Sequence, residues 1–328
     1  MKKQDIKEFS YEVAFTEKGS GTTETAARVV NTEDTLDFAN YTLESSEQAD
    51  FVPQQKMDDE VKKSLAAMGL LTTDGEIDYE ALMKTPTIDE LSAVDTSGTP
   101  IPNENRTLYD NTVYPYSAIV YLLFKFSDEK GVEYTARGTG FMVWDSIVLT
   151  CAHAVCQVGR KQWNREMVVL GRRSNGKFTV SSSWRTMVTS VRSYAGGDPN
   201  DEWGIIITKD LIGKPDKLSR LSLFQQLPEL PDKSMEAVGF PGEVNEKNTD
   251  ELWGASGAMM NVHHAEGINC YFKDAVVTGG QSGCPIISNY NYVVGIVYGI
   301  NQFEPFFQGD CRLVERGLFQ EVLKWLNY

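Results

Sequence analysis

The residues best suited to carry chemistry in this sequence are Ser282 and a small set of potential partners. Ser282 lies in a glycine-rich run, residues 279–285 (GGQSGCP). A serine among glycines on a tight turn exposes its hydroxyl, and the glycines let backbone N–H groups point toward whatever the hydroxyl attacks. This pattern indicates an acyl-transfer nucleophile. A β-turn with an incidental serine has the same composition, so partners elsewhere in the chain must decide between the two interpretations.

The first partner to look for is a base, because a serine hydroxyl near neutral pH needs a histidine that a carboxylate orients. The chain has three histidines, and His153 ends the apolar residues 146–152 just after the glycine-rich residues 138–141. This position predicts an imidazole at the mouth of a barrel, although a lone histidine in such a run is more often a buried, hydrogen-bonded ring. The adjacent His263 and His264 lie in a polar turn and are expected at the surface.

The third member should be a carboxylate at the start of another buried strand. Residues 198–202 (DPNDE) run directly into an apolar stretch and supply two candidates, Glu202 and Asp201. A charged turn that caps the strand is the alternative interpretation. The order His, acid, Ser along an all-β chain is that of the chymotrypsin-type enzymes. The three signals in that order therefore favour a catalytic triad.

Composition and charge narrow the remaining classes of function. The 328 residues are 41% hydrophobic and 23% charged, which is typical of a soluble protein with one large or two moderate domains. The net charge is −15, and residues 1–100 contribute most of it, with 9 basic against 21 acidic residues. This balance disfavours nucleic acid and anionic membrane surfaces as partners. No apolar run is long enough to span a bilayer.

The five cysteines are an odd number, so at least one thiol is unpaired within a monomer. Neither the cysteines nor the histidines show metal-ligand spacing, and we expect no metal and no other cofactor. The sequence does not show a signal peptide, which leaves a secreted protein whose signal precedes this numbering and a cytoplasmic protein as alternatives.

The order of elements along the chain predicts two regions, residues 1–100 and 101–328. Residues 1–50 are polar and are either loosely structured or ordered only against the rest of the protein. Helices are predicted at 58–71 and 78–83, a linker at 93–102, and a C-terminal helix at 317–326. Short β-type runs with turn residues between them indicate an all-β antiparallel barrel or sandwich. These runs are 116–125, 133–137, 140–144, 146–150, 166–170, 178–180, 187–194, 204–208, 234–240, 257–262, 275–278, 292–298 and 312–314.

Taken together, the motifs resemble the trypsin-like serine peptidases of the bacterial glutamyl-endopeptidase (V8-like) branch. The resemblance implies two orthogonally packed six-stranded antiparallel barrels with the site between them, and an acidic pro-segment at residues 1–100. It runs from about residue 101 to the C-terminus. It is carried by residues 101–106 (IPNENR), 138–141 (GTGF), 149–155 (LTCAHAV), 202–206 (EWGII), 239–242 (GFPG), 252–257 (LWGASG), 278–285 (TGGQSGCP) and 294–299 (VGIVYG).

The resemblance also implies a role for each residue of the site. Ser282 would attack the scissile carbonyl, and His153 would take the proton and later return it. The N–H groups of Gly280 and Ser282 would form the oxyanion hole. The family has an aspartate where this chain has Glu202; we favour Glu202 as the acid and keep Asp201, one residue earlier, as the alternative.

Specificity is where this chain departs from the glutamate-selecting branch. The branch places a histidine where this chain has Val297, before Tyr298 and Gly299, and a threonine or serine where it has Val277. A substrate carboxylate entering a pocket without those donors would be desolvated and unpaired. We therefore expect these residues to bind an apolar or small side chain before the scissile bond, rather than glutamate.

Activation is expected to differ from that of the pancreatic enzymes. Those enzymes bind the freed amino terminus with an aspartate just before the nucleophile, and Gln281 occupies that position here. Latency would then come from residues 1–100 covering or distorting the cleft, unless these residues are a permanent acidic domain. We expect a monomer that acts on protein or peptide substrates and binds its own pro-segment. A catalytically silent protease-fold binding protein is the alternative function.

Overall fold

The computed structural model describes most of the chain, and three sequence predictions fall outside the part that it describes. These are the linker at 93–102, the alternative acid Asp201, and the surface histidines His263 and His264. Within the described part, no helix is both long enough and apolar enough to cross a bilayer. The described residues are 10–19, 23–29, 57–91, 104–128, 130–157, 161–196, 202–214, 216–223, 235–244, 247–261, 269–273, 275–288, 291–303, 306–314 and 316–325.

The secondary structure is dominated by β-strands. In chain order the strands are β1 (Ser10–Glu17), β2 (Thr23–Val29), β3 (Thr107–Leu108), β4 (Ile119–Ser127), β5 (Glu133–Met142), β6 (Ile147–Thr150), β7 (Cys156–Gln157), β8 (Gln162–Trp163), β9 (Glu166–Ser174), β10 (Lys177–Ser190), β11 (Gly204–Thr208), β12 (Ser222–Leu223), β13 (Met235–Gly239), β14 (Glu243–Val244), β15 (Lys247–Asn248), β16 (Trp253–Asn261), β17 (Asn269–Lys273), β18 (Pro285–Ile287), β19 (Tyr292–Phe303) and β20 (Phe306–Leu313). The helices are α1 (Asp59–Ala67), α2 (Tyr79–Lys84), α3 (Ile88–Leu91), α4 (Val191–Gly196) and α5 (Arg316–Trp325), with 3₁₀ turns at Tyr116–Ala118 and Ala152–Ala154.

The first barrel is a closed ring of six antiparallel strands in the order β11-β6-β5-β4-β9-β10. Strand β10 closes it, because its first half pairs with β9 and its second half with β11. A register shift between Trp184 and Thr186 marks the irregularity, and such bulges let a long strand bend. The two runs expected at 178–180 and 187–194 are therefore one strand that ends in a helix. The runs expected at 133–137 and 140–144 are likewise one strand, β5.

The second barrel has the strand order β19-β18-β13-β16-β17-β20 and is closed by pairing of β19 with β20. Short strands β3 and β12 add to β16 and β19. The run expected to form a strand at 275–278 has no strand assignment. The C-terminal helix α5 buries Leu318, Val322 and Trp325 against the body of the protein. The prediction of two six-stranded barrels with a C-terminal helix is confirmed.

The described part of the N-terminal segment is packed on the first barrel. Strands β1 and β2 form a hairpin that adds to the outside of β10, and α1 packs on β9 and β10. Residues 1–50 were expected to be loose or ordered only against the rest of the protein, and the second alternative describes the hairpin. Val61, Leu65 and Leu82 are fully buried. Each such side chain contributes about 1.5–3 kcal/mol by leaving water, so burial holds the described part of this segment on the protein.

Candidate active site

Pairing of β6 with β11 brings His153 and Glu202 together. The register places Gly204 opposite Thr150, so the residues just before β11 meet the residues just after β6. Glu202 lies two positions before that pair, and His153 lies three positions after it, in the 3₁₀ turn Ala152–Ala154. Two residues that are far apart in sequence therefore share one end of the first barrel, as the strand pattern predicts.

The carboxylate of Glu202 orients the His153 ring and caps the turn that carries it. Its Oε2 lies 3.2 Å from Nδ1 of His153. The same oxygen accepts the backbone N–H groups of Ala152 at 2.9 Å and of His153 at 3.4 Å. Glu202 is 8% exposed. Because Nδ1 is engaged by this buried carboxylate, Nε2 is the nitrogen left to exchange a proton with a substrate or nucleophile.

The electrostatic environment of the imidazole favours its protonated form. Burial by itself would lower the pKa of His153, but the Cys151 thiol and the Glu202 carboxylate outweigh it and hold the pKa well above the usual value. Cys151 Sγ lies 3.4 Å from Nε2. Burial raises the pKa of Cys151, and because a neutral thiol carries no charge, Glu202 is the charged neighbour that stabilises the imidazolium near neutral pH. A carboxylate beside Nδ1 stabilises the imidazolium that forms when a histidine accepts a serine proton.

Residues 279–283, which we call the nucleophile loop after the role predicted for Ser282, are held in place by the first barrel. Thr139 on β5 accounts for two of the contacts: its Oγ1 donates to the carbonyl of Gly280 at 2.7 Å, and its N–H donates to the carbonyl of Ser282 at 3.1 Å. Gly280 has φ +90°, and a Cβ there would lie 2.6 Å from the Phe240 carbonyl oxygen. Only glycine fits this conformation, which turns the Gly280 N–H into the cleft.

The neutral residue before Ser282 is a structural part of the same loop. Gln281 is fully buried. Its Oε1 accepts the N–H of Thr278 at 3.0 Å, and its Nε2 donates to the carbonyl of Trp253 at 3.3 Å. These amide hydrogen bonds hold the loop without the ion pair to a freed amino terminus that an aspartate would make.

A fourth side chain, Asp89, enters the site from helix α3 of the N-terminal segment. Ser282 Oγ donates to Asp89 Oδ1 at 2.8 Å, and the N–H of Gly280 donates to Oδ2 at 2.9 Å. Oδ1 also lies 4.0 Å from His153 Nε2. Sequence reasoning missed Asp89, because nothing in TPTIDEL (residues 85–91) distinguishes this carboxylate from the other acidic residues of the segment. The only available signal was the general expectation that residues 1–100 cover the cleft.

The four predicted substrate-binding residues differ in their surroundings. Val277 and Val297 are 2% and 0% exposed and belong to the apolar core of the second barrel, whereas Tyr298 and Gly299 are half-buried. Neither valine offers a hydrogen-bond donor on its side chain. A pocket formed at this position would therefore have an apolar floor.

A buried cation, Arg106, lies beside Thr278, just before the nucleophile loop. Its Nε and one terminal nitrogen donate to Glu104 at 2.8 and 2.6 Å, and the other terminal nitrogen donates to Thr278 Oγ1 at 2.5 Å. The bidentate pair with Glu104 neutralises this guanidinium locally. The positive charge of Arg106 is therefore paired within the protein.

Cys151, His153 and Glu202 each offer a potential metal-ligand atom, and these atoms lie within 4.8 Å of one another. The two ring nitrogens, however, face different partners: Nδ1 faces Glu202 and Nε2 faces Cys151. A cation on either nitrogen would gain a single further ligand from this group, while structural zinc needs four and catalytic zinc three. The donor set fits a hydrogen-bonded histidine better than a metal centre.

Comparison with known proteins agrees with the fold. No protein-family model matches the chain, and no curated protein matches its sequence. A solved Glu endopeptidase in complex with MPD is similar to it with a TM-score of 0.58 and 19% identity, over 70% of this chain and 100% of that one. The thermostable serine protease AL20 from an extremophilic microorganism has a TM-score of 0.51 and 17% identity, over 62% and 94% of the two chains.

A third solved structure, the scabies mite inactivated protease paralogue S-D1, has a TM-score of 0.53 and 13% identity, over 68% of this chain and 97% of its own. Identities this low demonstrate a common fold and leave activity to be argued from the site. The chain has the chymotrypsin-like double-barrel fold and is similar in fold to a solved Glu endopeptidase, which confirms the fold that the resemblance implied.

Proposed function

We propose that this protein is a serine endopeptidase that hydrolyses peptide bonds in protein or peptide substrates. The observation that carries the proposal is the convergence of three groups on one point. The hydroxyl of Ser282, the N–H of Gly280 and Nε2 of His153 all face a single carboxylate, at 2.8, 2.9 and 4.0 Å. A nucleophile, an oxyanion donor and a base around one small volume are the components that acyl transfer requires.

The proposed reaction follows the double-displacement route of serine peptidases. Ser282 Oγ attacks the scissile carbonyl carbon while its proton passes to Nε2 of His153, and the carbonyl oxygen becomes an oxyanion held by the N–H groups of Gly280 and Ser282. His153 then protonates the departing amine as the peptide C–N bond breaks. Water attacks the acyl-enzyme by the same route, and the serine is restored. Glu202 stabilises the imidazolium in both steps; Asp201 remains the alternative acid.

The alternative function is a catalytically silent binding protein with a protease fold, of which the mite paralogue is an example by name. A fluorophosphonate probe separates the two functions, because it reacts only with an activated serine. We expect the processed protein, from which the cleaved N-terminal segment has been removed, to be labelled on the peptide that contains Ser282, with labelling lost in Ser282→Ala. The exposed Ser256 supplies the matched control, since Ser256→Ala should be labelled like the wild type. An unlabelled processed protein would favour the binding function.

We also propose that the residue before the scissile bond is apolar or small. The floor of the pocket would be formed by Val277 and Val297, and the nearby Arg106 is paired with Glu104. A substrate glutamate would lose its hydration without gaining a partner. In peptides that differ only at this residue, we expect kcat/KM for leucine or alanine to exceed that for glutamate by at least tenfold. Preference for glutamate would contradict the proposal.

The N-terminal region is proposed to be a pro-segment of a secreted, monomeric enzyme. The cleavage expected near residues 97–101 would leave the barrels together with residues 104–128, which contain Arg106 and Glu104. Mass spectrometry of the protein from its natural source tests this proposal. An amino terminus near residues 97–101 means processing, whereas an intact chain means a permanent acidic domain. A cytoplasmic enzyme remains the alternative location.

A further inference from the structure

Residues 85–91 of the N-terminal segment lie directly against the nucleophile loop. The carbonyl of Pro86 accepts the N–H of Arg137 at 3.1 Å, and Thr87 forms a parallel bridge with Arg137 on β5. Thr87 is fully buried and Ile88 is 3% exposed. The position of the segment beside the cleft is therefore fixed by backbone pairing with β5 and by burial of the two residues that precede Asp89.

The surface beneath Thr87 consists of glycines from two loops. A Cβ on Gly242 would lie 2.6 Å from Thr87 Cγ2, and a Cβ on Gly279 would lie 2.9 Å from Thr87 Oγ1. For Gly280 the corresponding distance to Thr87 Cγ2 is 3.0 Å. Larger residues at these positions would push the segment away. Because all three positions lack a side chain, Thr87 lies close to these loops. The following turn of the chain can then place Asp89 against the nucleophile loop.

The carboxylate of Asp89 takes the position that the reacting carbonyl group of a substrate would need. An oxyanion must lie about 2.7–3.1 Å from its donors, and Oδ2 lies 2.9 Å from the Gly280 nitrogen. Oδ1 accepts the hydrogen bond that Ser282 Oγ donates. In the proposed reaction the proton of this hydroxyl must instead go to His153. A substrate and Asp89 thus exclude each other, and the hydroxyl is directed away from its base.

We propose that Asp89 is an internal inhibitor, a side-chain carboxylate that binds the oxyanion donor and the nucleophile and keeps the full chain latent. The proposal rests on the peptidase function above and names how that function is regulated. Its inhibitory element is the short segment 85–91 rather than residues 1–100 as a whole. Because the segment is also held by buried residues such as Val61 and Leu65, activation requires residues 85–91 to leave the cleft, and cutting the linker alone is insufficient.

The test measures the labelling rate of the full chain with a small fluorophosphonate probe. Asp89→Ala should be labelled at least tenfold faster than the wild type, because two hydrogen bonds to a charged group are removed. Asp89→Asn, which keeps the side-chain size and one acceptor, should be intermediate. The exposed Asp74, in the turn between α1 and α2, provides the control: Asp74→Asn should be labelled at the wild-type rate.

A second readout does not depend on catalysis. Hydrogen exchange of the peptide that contains the Gly280 amide should be faster in Asp89→Ala, while the strands of the first barrel keep wild-type protection. Equal labelling of the wild type and Asp89→Ala would overturn the inhibitor and leave the peptidase standing. Labelling of the processed protein without faster labelling of Asp89→Ala would also overturn it. If no form is labelled, the peptidase function fails, and the inhibitor fails with it.

Discussion

In the processed protein, Ser282→Ala and His153→Ala are each expected to lower kcat by about a millionfold, and the double variant to lower it no further. The reason is that the two side chains act as one unit: a base without its nucleophile transfers no useful proton, and a nucleophile without its base stays protonated. Such non-additivity is measured in other serine peptidases, where the loss for either residue is about 10⁶. Hydrolysis of a fluorescent protein substrate provides the measurement.

The control for this experiment is Ser256→Ala on the exposed face of β16, which should leave kcat unchanged. Residual activity of about 10³–10⁴ over the uncatalysed reaction should remain in the single variants, because the oxyanion donors are still present. Losses that multiply in the double variant would mean that His153 and Ser282 act independently, and the proposed proton transfer between them would be wrong.

The sequence could predict the part of the site that depends on local pattern. β11 was predicted at the residues where it is observed, and the acidic residues before it were expected to meet the histidine after β6. Apolar runs between polar turns indicate strands. Antiparallel pairing of two such strands brings the residues before one strand close to the residues after the other. The hairpin of β1 and β2 was harder to predict from the sequence, since its residues are largely polar and its strands depend on pairing with β10.

Asp89 shows why part of a site escapes sequence reasoning. The carboxylate meets Ser282 across 193 positions of chain, through a four-residue helix whose approach depends on the backbone pairing of Thr87 with Arg137. The periodic pattern of apolar residues in a sequence does not indicate such a contact. The long strand β10 was missed for a related reason: its two halves pair with different partner strands, with a register shift between Trp184 and Thr186, and local propensity therefore suggests two strands with a break between them.

The last prediction concerns the acid. Glu202→Gln in the processed protein is expected to lower kcat by about 10⁴-fold, the loss measured when the equivalent carboxylate of a related triad is replaced by its amide. Oε2 of Glu202 accepts the N–H groups of Ala152 and His153 and also faces Nδ1, so a glutamine oxygen at this position keeps the three contacts but loses the negative charge that stabilises the imidazolium. A glutamine that places its NH₂ group there would instead donate to Nδ1, and the neutral ring would carry its proton on Nε2, where it cannot accept the proton of Ser282.

The pH profile distinguishes this role from a purely structural one. In the wild type the pKa of His153 is raised, and because the base must be neutral, kcat/KM should fall with decreasing pH through a pKa above 6.5. Removing the Glu202 charge should move this limb to lower pH, since the imidazolium loses a stabilising neighbour. Asp201→Asn is the matched variant and should change kcat by less than tenfold with an unshifted limb. The reverse pattern, a large loss in Asp201→Asn and a small one in Glu202→Gln, would transfer the role of the acid to Asp201.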